Sequence, residues 1–212
     1  MINNENINNT HREIGNAPVT SGEGRSVLLR RSYTASVERV WNALTQREEL
    51  AQWFGQVDGQ LRTGGTFQVQ DNAGGDILEC DEPQMYKVTW AMGPGMSTEL
   101  SLRLFADGEA TTVEVEHSTP AEIFDELLNS YGPGGTIGIG VGWDLSLVAL
   151  GMYLDGTAFD VATWENAPET KEFAAAACDA WGVAAQNAWD IADADMAPAI
   201  AFAKAQYAPD SH

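Results

Sequence analysis

The sequence predicts an α+β fold in which an antiparallel sheet is covered on one face by a long buried helix. Three features lead there. A strand-like run is followed by two short amphipathic helices, then by several alternating strands separated by tight turns, then by a helix that is apolar almost all round. Short turns leave no room for crossover helices, so successive strands pair antiparallel. A helix apolar on most sides has to be buried, and one face of the sheet offers the cover.

The elements follow in order. Residues 1–24 are rich in Asn, Gly, Ser and Thr without periodicity, so a flexible N-terminal tail is expected. Residues 26–33 read as the first strand. Ser36 is placed to cap a helix whose Val37, Val40, Trp41 and Leu44 fall at i, i+3, i+4 and i+7. Thr45, with Glu48 three residues on, fits a capping box for a second helix, whose Leu50, Trp53 and Phe54 face inward before Gly55 ends it. Strands are expected at 60–62, 65–71, 76–81, 84–91, 98–105 and 110–117. Their alternation sets Phe67 and Val69, then Tyr86, Val88 and Trp90, then Leu100, Leu102 and Leu104, then Val113, Val115 and His117 on common faces.

A short helix at 121–130 and a Gly-rich loop at 132–142 lead to the buried helix at 143–154. Trp143, Leu147, Leu150 and Leu154 form one stripe of it, Val148 and Met152 another. From residue 157 the chain turns Ala-rich. Phe173, Ala177, Trp181, Ala184 and Ala188 mark one helix, and a second is expected at 191–207. The organisation expected is a tail at 1–24, a main domain at 25–156, and a helical extension at 157–212 packed on it, because about fifty residues form only a marginal core alone.

Eleven basic residues against 31 acidic ones give a net charge of −20. That field repels a phosphate backbone and an anionic bilayer, so neither a nucleic acid nor a membrane is expected as a partner. Cys80 and Cys178 lie far apart without metal-type spacing. The N-terminus lacks the basic and apolar regions of a signal peptide, and no apolar run reaches the ~20 residues of a membrane span. A cytoplasmic protein with reduced thiols is expected.

No catalytic constellation is recognisable. The chain has no Gly-x-Ser-x-Gly elbow, Cys80 has no paired histidine motif, and the histidines at 11, 117 and 212 are isolated, so neither a metal nor a cofactor is expected. The 132–142 run lacks the Gly-Lys-Ser/Thr of a P-loop and the spacing of a dinucleotide fingerprint; it reads as a flexible entrance loop. His117 can orient a polar group or act as a base, but a bond to a backbone carbonyl at the sheet margin is favoured. Glu79 and Glu99 can offer carboxylates for acid–base work, although strand glutamates favour water. Asp144, near the expected helix start, suits the helix dipole.

Several motifs resemble a known group: Val37-Glu-Arg-Val-Trp41-Asn-Ala-Leu-Thr45, Leu50-Ala-Gln-Trp53-Phe54, Leu61-Arg-Thr-Gly-Gly65-Thr-Phe67, Gly75-Asp-Ile-Leu-Glu79-Cys-Asp-Glu-Pro83, Val88-Thr-Trp90, and Gly142-Trp143-Asp144 with Tyr153-Leu154-Asp-Gly156. In this order, over roughly 26–156, they resemble the START-like (SRPBCC) superfamily and, within it, the heat-shock-protein-90 ATPase activator-like domains. Ala180-Trp181-Gly182 followed by Tyr207 is similar to a bacterial subgroup of them. The resemblance implies a helix-grip fold, its antiparallel sheet curved around a long C-terminal helix, with an apolar pocket between the two. It implies a small hydrophobic or aromatic ligand, with Trp53, Phe54, Phe67, Trp90, Leu102, His117, Trp143 and Leu147 as the expected lining. It also leaves open a chaperone or other protein as partner, or a polyketide cyclase- or hydrolase-like activity. The oligomeric state stays open.

Overall fold

The structure is a computed structural model and describes residues 5–60, 62–93, 95–189 and 192–209. A single eight-stranded antiparallel sheet has the order β1-β2-β8-β7-β6-β5-β4-β3. Its strands are β1 (Thr10–Val19), β2 (Gly22–Tyr33), β3 (Val57–Gly59), β4 (Thr66–Val69), β5 (Gly74–Asp81), β6 (Met85–Ala91), β7 (Ser97–Asp107) and β8 (Ala110–Pro120). A short helix α1 (Glu5–Asn8) precedes β1, and α2 (Val37–Thr45) and α3 (Arg47–Trp53) link β2 to β3. After the sheet come α4 (Ala121–Tyr131), α5 (Gly134–Leu154), α6 (Pro168–Trp189) and α7 (Asp193–Tyr207).

Period-two alternation decides which face of the sheet is buried. Tyr86 pairs with Leu102 and Val88 with Leu100, and Leu100 and Leu102 lie opposite His117 and Val115 on β8. These residues point to one side, against α5. The other side is polar: Arg30 Nε donates to Glu114 Oε2 at 2.5 Å, and Arg103 donates to Glu114 (2.8 Å) and Glu116 (3.1 Å).

Ser36 caps α2, its hydroxyl accepting from the Arg39 N–H at 3.3 Å. The second cap differs from the expected capping box. Gln46 holds the N-cap position of α3 without a side-chain bond, while Thr45 stays in α2 and donates to the Trp41 carbonyl at 2.8 Å. Once α2 keeps Thr45, its hydroxyl is consumed by the preceding turn.

Three other expectations need correction. Residues 10–24 are not a flexible tail: Thr10–Val19 pairs along its whole length with Gly22–Tyr33. The strand lacks an apolar alternation because Arg12 occupies an inward position, where it meets Asp144 of α5. Arg12 Nε and NH2 donate to the two Asp144 oxygens at 2.7 and 3.0 Å, and Arg12 NH1 donates to the carbonyls of Ile7 and Thr10. Second, the short strand expected at 60–62 lies earlier, at Val57–Gly59, and Leu61 falls outside the described residues.

Third, the Gly-rich run is not a loop but the first half of α5. Glycine inside a helix costs ~0.5–1 kcal/mol relative to alanine, so another term has to offset it. Close packing supplies that term. A Cβ on Gly140 would stand 2.3 Å from the Trp181 ring of α6, and one on Gly134 would stand 2.8 Å from Phe202 of α7. The helix expected to start at Trp143 therefore begins at Gly134. Its composition and length are those of a membrane-crossing helix, which the sequence reading missed, yet Ile137, Val141, Leu147 and Leu150 are buried inside the fold.

The longer helix also moves Asp144 from a helix start to mid-helix, where the dipole argument no longer applies. Its carboxylate is fully buried and accepts from Arg12 and, at 2.8 Å, from Trp181 Nε1. One side chain thus joins β1, α5 and α6. In α6 the buried stripe runs through Phe173, Ala177, Trp181 and Ala185, while Ala184 is half-buried and Ala188 exposed. The helix expected at 191–207 spans Asp193–Tyr207, with Ile191 outside the described residues.

Candidate functional site

Between the inner face of the sheet and α5 lies an apolar cavity of about 80 Å³. Trp53 and Phe54 reach it from the end of α3, Phe67 from β4, Trp90 from β6 and Leu102 from β7; Trp143 and Leu147 reach it from α5. These are seven of the residues that the resemblance pointed to. His117, the eighth, instead lines an outer chamber of about 290 Å³, together with Asn72, Met92, Gln206 and Tyr207. Phe54, Trp90, Trp143 and Ser146 belong to both walls and so form the partition between the two spaces.

The partition is aromatic and internally braced. Trp90 stands against Trp143 edge to face at 5.3 Å between ring centres, and against Phe67 at 5.8 Å. Such pairs add about 0.5–1.5 kcal/mol beyond the area they bury. Trp143 is oriented by a chain of hydrogen bonds. Its indole N–H, which can only donate, reaches His117 Nδ1 at 2.8 Å. The imidazole proton therefore sits on Nε2 and goes to Thr98 Oγ1 at 2.8 Å, and the Thr98 hydroxyl in turn donates to the Trp90 carbonyl at 2.8 Å.

This corrects the reading of His117 as an imidazole bonded to a backbone carbonyl. Its partners are two side chains, because its face of β8 lies under α5 rather than at an open margin. Burial drives its pKa down to about 4, so it is neutral at physiological pH with both nitrogens committed. The acid–base arrangement would have needed a carboxylate beside it. Glu79 is exposed, and Glu99 projects from the opposite face of β7, where Oε1 accepts from the Thr20 N–H at 2.6 Å and Oε2 meets Lys87 Nζ at 2.8 Å. Burial raises the Glu99 pKa, but the Lys87 and Thr20 bonds outweigh it and hold the group below the usual carboxylate range. The three residues do not share a cavity.

Nine wall residues were not among the expected lining, and two of them, Tyr86 and Ser146, carry hydroxyls. Tyr86 was legible as a member of the Tyr86, Val88, Trp90 alternation that already contained an expected lining residue. Ser146 sits one helical turn after Trp143 within the helix expected at 143–154, so its spacing was legible, but it is polar and lies outside the apolar stripes read there. Its hydroxyl donates to the Gly142 carbonyl at 3.0 Å.

A curved antiparallel sheet closed on a long helix, with an apolar chamber between them, defines a helix-grip protein of the START-like (SRPBCC) class. The chain belongs to the family described as Activator of Hsp90 ATPase homolog 1-like protein, which it matches over residues 34–155, more than half its length. It is similar to CalU16 from Micromonospora echinospora. The crystal structure of that protein is 32% identical, with a TM-score of 0.67, covering 84% of this chain and 98% of that one. Its solution structure gives a TM-score of 0.69 at the same identity, covering 84% and 96%. A Bordetella parapertussis protein shares the fold at 21% identity and a TM-score of 0.55, covering 74% of this chain and 84% of that one. No curated protein matches the chain.

Proposed function

We propose that this protein binds a small, neutral, hydrophobic or aromatic molecule in the cavity between the sheet and α5. The observation that carries the reading is the wall: Trp53, Phe67, Trp90, Trp143 and branched aliphatic side chains surround the space, with Tyr86 and Ser146 supplying hydroxyls. Apolar walls with a few placed polar groups are the usual construction of a ligand site. The free, widely separated thiols of Cys80 and Cys178 support a cytoplasmic location.

The test is retention. The purified protein is incubated with a hydrophobic metabolite extract, re-isolated and analysed by mass spectrometry beside Leu102→Trp, which fills the cavity. The wild type should retain a compound that the variant does not, and that compound should raise Tm. A ligand at 100 times its Kd stabilises the folded state by about 2.7 kcal/mol. Retention by neither protein, or equal retention by both, refutes the reading.

A second reading follows from the family description: a protein-interaction module acting on a chaperone. Its support is family membership together with the −20 charge, which suits a basic partner surface, and the exposed Met92, Met96 and Phe105. It predicts a salt-sensitive complex with an Hsp90-type chaperone and faster ATP hydrolysis. The absence of both removes it.

A further inference from the structure

The outer chamber differs from the inner cavity in size, lining and origin. At about 290 Å³ it is roughly twice the ~150 Å³ apolar cavity that accepts benzene, which leaves room for about two fused rings. Gln206 and Tyr207 of α7 form one side of it, and both lie outside the family region 34–155. Gly135, Gly138 and Gly142 of α5 form another side, and close packing gives no reason for them. A Cβ on Gly135 would meet nothing nearer than Tyr131 Cβ at 3.6 Å, and one on Gly138 nothing nearer than Tyr207 Cε2 at 3.5 Å. One on Gly142 would stand 3.3 Å from the Tyr207 hydroxyl, the far end of a side chain. Gly134 and Gly140 are different, since their neighbours stand too close for any Cβ. Glycine is a poor helix residue, and folded proteins leave few voids larger than a water molecule. Three glycines that their neighbours do not require therefore keep open a space that side chains would fill.

Polar groups divide the chamber into two ends. At the partition, His117, Trp143 and Ser146 spend their hydrogen bonds on one another, on Thr98 and on the Gly142 carbonyl, so that end offers mainly ring surface. On the α7 side, Tyr207 Oη lies over Gly142, and Gln206 Oε1 stands 3.8 Å from the Cβ position of Gly138. Neither side chain makes a hydrogen bond among the described residues, and both are open to solvent, Tyr207 half-buried and Gln206 exposed. Burial first, then Glu165 and Cys178, raise the Tyr207 pKa, so its hydroxyl keeps the proton it donates. No Asp, Glu, Lys or Arg among the described residues lines the chamber, and a net charge of −20 repels an anion.

We infer that the outer chamber is a second binding site, taking a neutral molecule of one or two fused aromatic rings whose α7-facing edge carries a hydroxyl or carbonyl oxygen paired with Tyr207. The rings rest against Phe54, Trp90 and Trp143, and the oxygen meets the side of the chamber with unspent hydrogen-bonding groups. The site does not depend on occupancy of the inner cavity.

The experiment uses 2-naphthol, 2-methylnaphthalene and 2-naphthoate, which share two rings and differ in one substituent. Each is titrated into wild-type protein, Tyr207→Phe and Gly138→Leu. Binding is read from the methyl resonances of Met92 and Ile139, which line the outer chamber alone, beside those of Leu100 and Leu102, which line the inner cavity alone. Met92 and Ile139 should shift in the wild type, with 2-naphthol favoured over 2-methylnaphthalene about fivefold, the worth of one net neutral hydrogen bond. The naphthoate should bind at least about tenfold more weakly than 2-naphthol, for want of a cation in the wall. Tyr207→Phe should abolish the preference for 2-naphthol and still bind 2-methylnaphthalene. Gly138→Leu, which fills the chamber, should bind neither; Tyr207→Phe removes no described hydrogen bond and carries the test alone if that variant does not fold. Shifts confined to Leu100 and Leu102 overturn this site and leave the inner-cavity reading standing. Silent Met92 and Ile139 methyls with every probe, undiminished binding in Gly138→Leu, a preference that survives Tyr207→Phe, or tighter binding of the naphthoate each overturn the inference.

Discussion

Acidification should remove a defined share of stability through one imidazole. His117 titrates near 4 in the folded protein because its charged form would be buried, against about 6.5 for an unperturbed histidine. The fold thus favours the neutral ring. Its contribution is complete above the unfolded value and is lost as pH falls from about 6.5 towards 4. Lowering the pKa from about 6.5 to about 4 is worth about 3 kcal/mol by the pH of the lower value, a large part of the ~5–15 kcal/mol that holds a typical domain together. The hydrogen-bond chain gives a physical account of the loss, since a proton arriving on Nδ1 removes the acceptor of the Trp143 indole. The assay is urea unfolding of wild type and His117→Gln between about pH 7 and pH 4. The many carboxylates are common to both proteins and cancel in the difference. That difference should shrink by about 3 kcal/mol across the window, with Trp143 fluorescence changing in the wild type over the same range. A difference that stays constant with pH refutes the assignment of the neutral ring to the fold.

The other predictions concern α5. Arg12→Met leaves the Asp144 carboxylate buried with Trp181 as its sole described partner and should cost about 3–5 kcal/mol in urea unfolding, most of it recovered in the double variant Arg12→Met with Asp144→Leu. A loss below about 1 kcal/mol in the single variant would show that the pair is not buried as described. Two glycines of the helix should respond with opposite signs. Gly140→Ala drives a methyl into the Trp181 ring and should destabilise by about 1–3 kcal/mol. Gly135→Ala meets only Tyr131 Cβ at 3.6 Å and should stabilise by about 0.5–1 kcal/mol, read as Tm.

What the sequence made legible is what depends on local period. The α2–α3 pair, the inward strand faces and the apolar second half of α5 all announce themselves by spacing, whereas Trp53, Trp90 and Trp143 became wall candidates only through the family resemblance. What stayed hidden depends on a partner distant in the chain. Arg12 makes β1 look like tail because the residue that explains an inward charge, Asp144, is 132 positions away. Gly134, Gly138 and Gly140 look like a loop until Trp181, Phe202 and Tyr207 close over them. Tyr86 shows its alternation in the sequence, but that its hydroxyl lacks a partner among the described residues is a property of its surroundings.

The glycine face of α5 also sets a timetable for synthesis. The helix leaves the ribosome before the residues that cover it have been made. Until α6 and α7 emerge, the most apolar helix of the chain shows a groove with nothing seated in it, and Asp144 lacks the indole of Trp181. A nascent chain that stalls before residue 168, or a message truncated there, yields a product with every strand present and that groove bare. Such a chain is prone to aggregate and is a natural client for the holding factors that meet growing polypeptides. The synthesis of α6 and α7 therefore determines when the groove on α5 is covered.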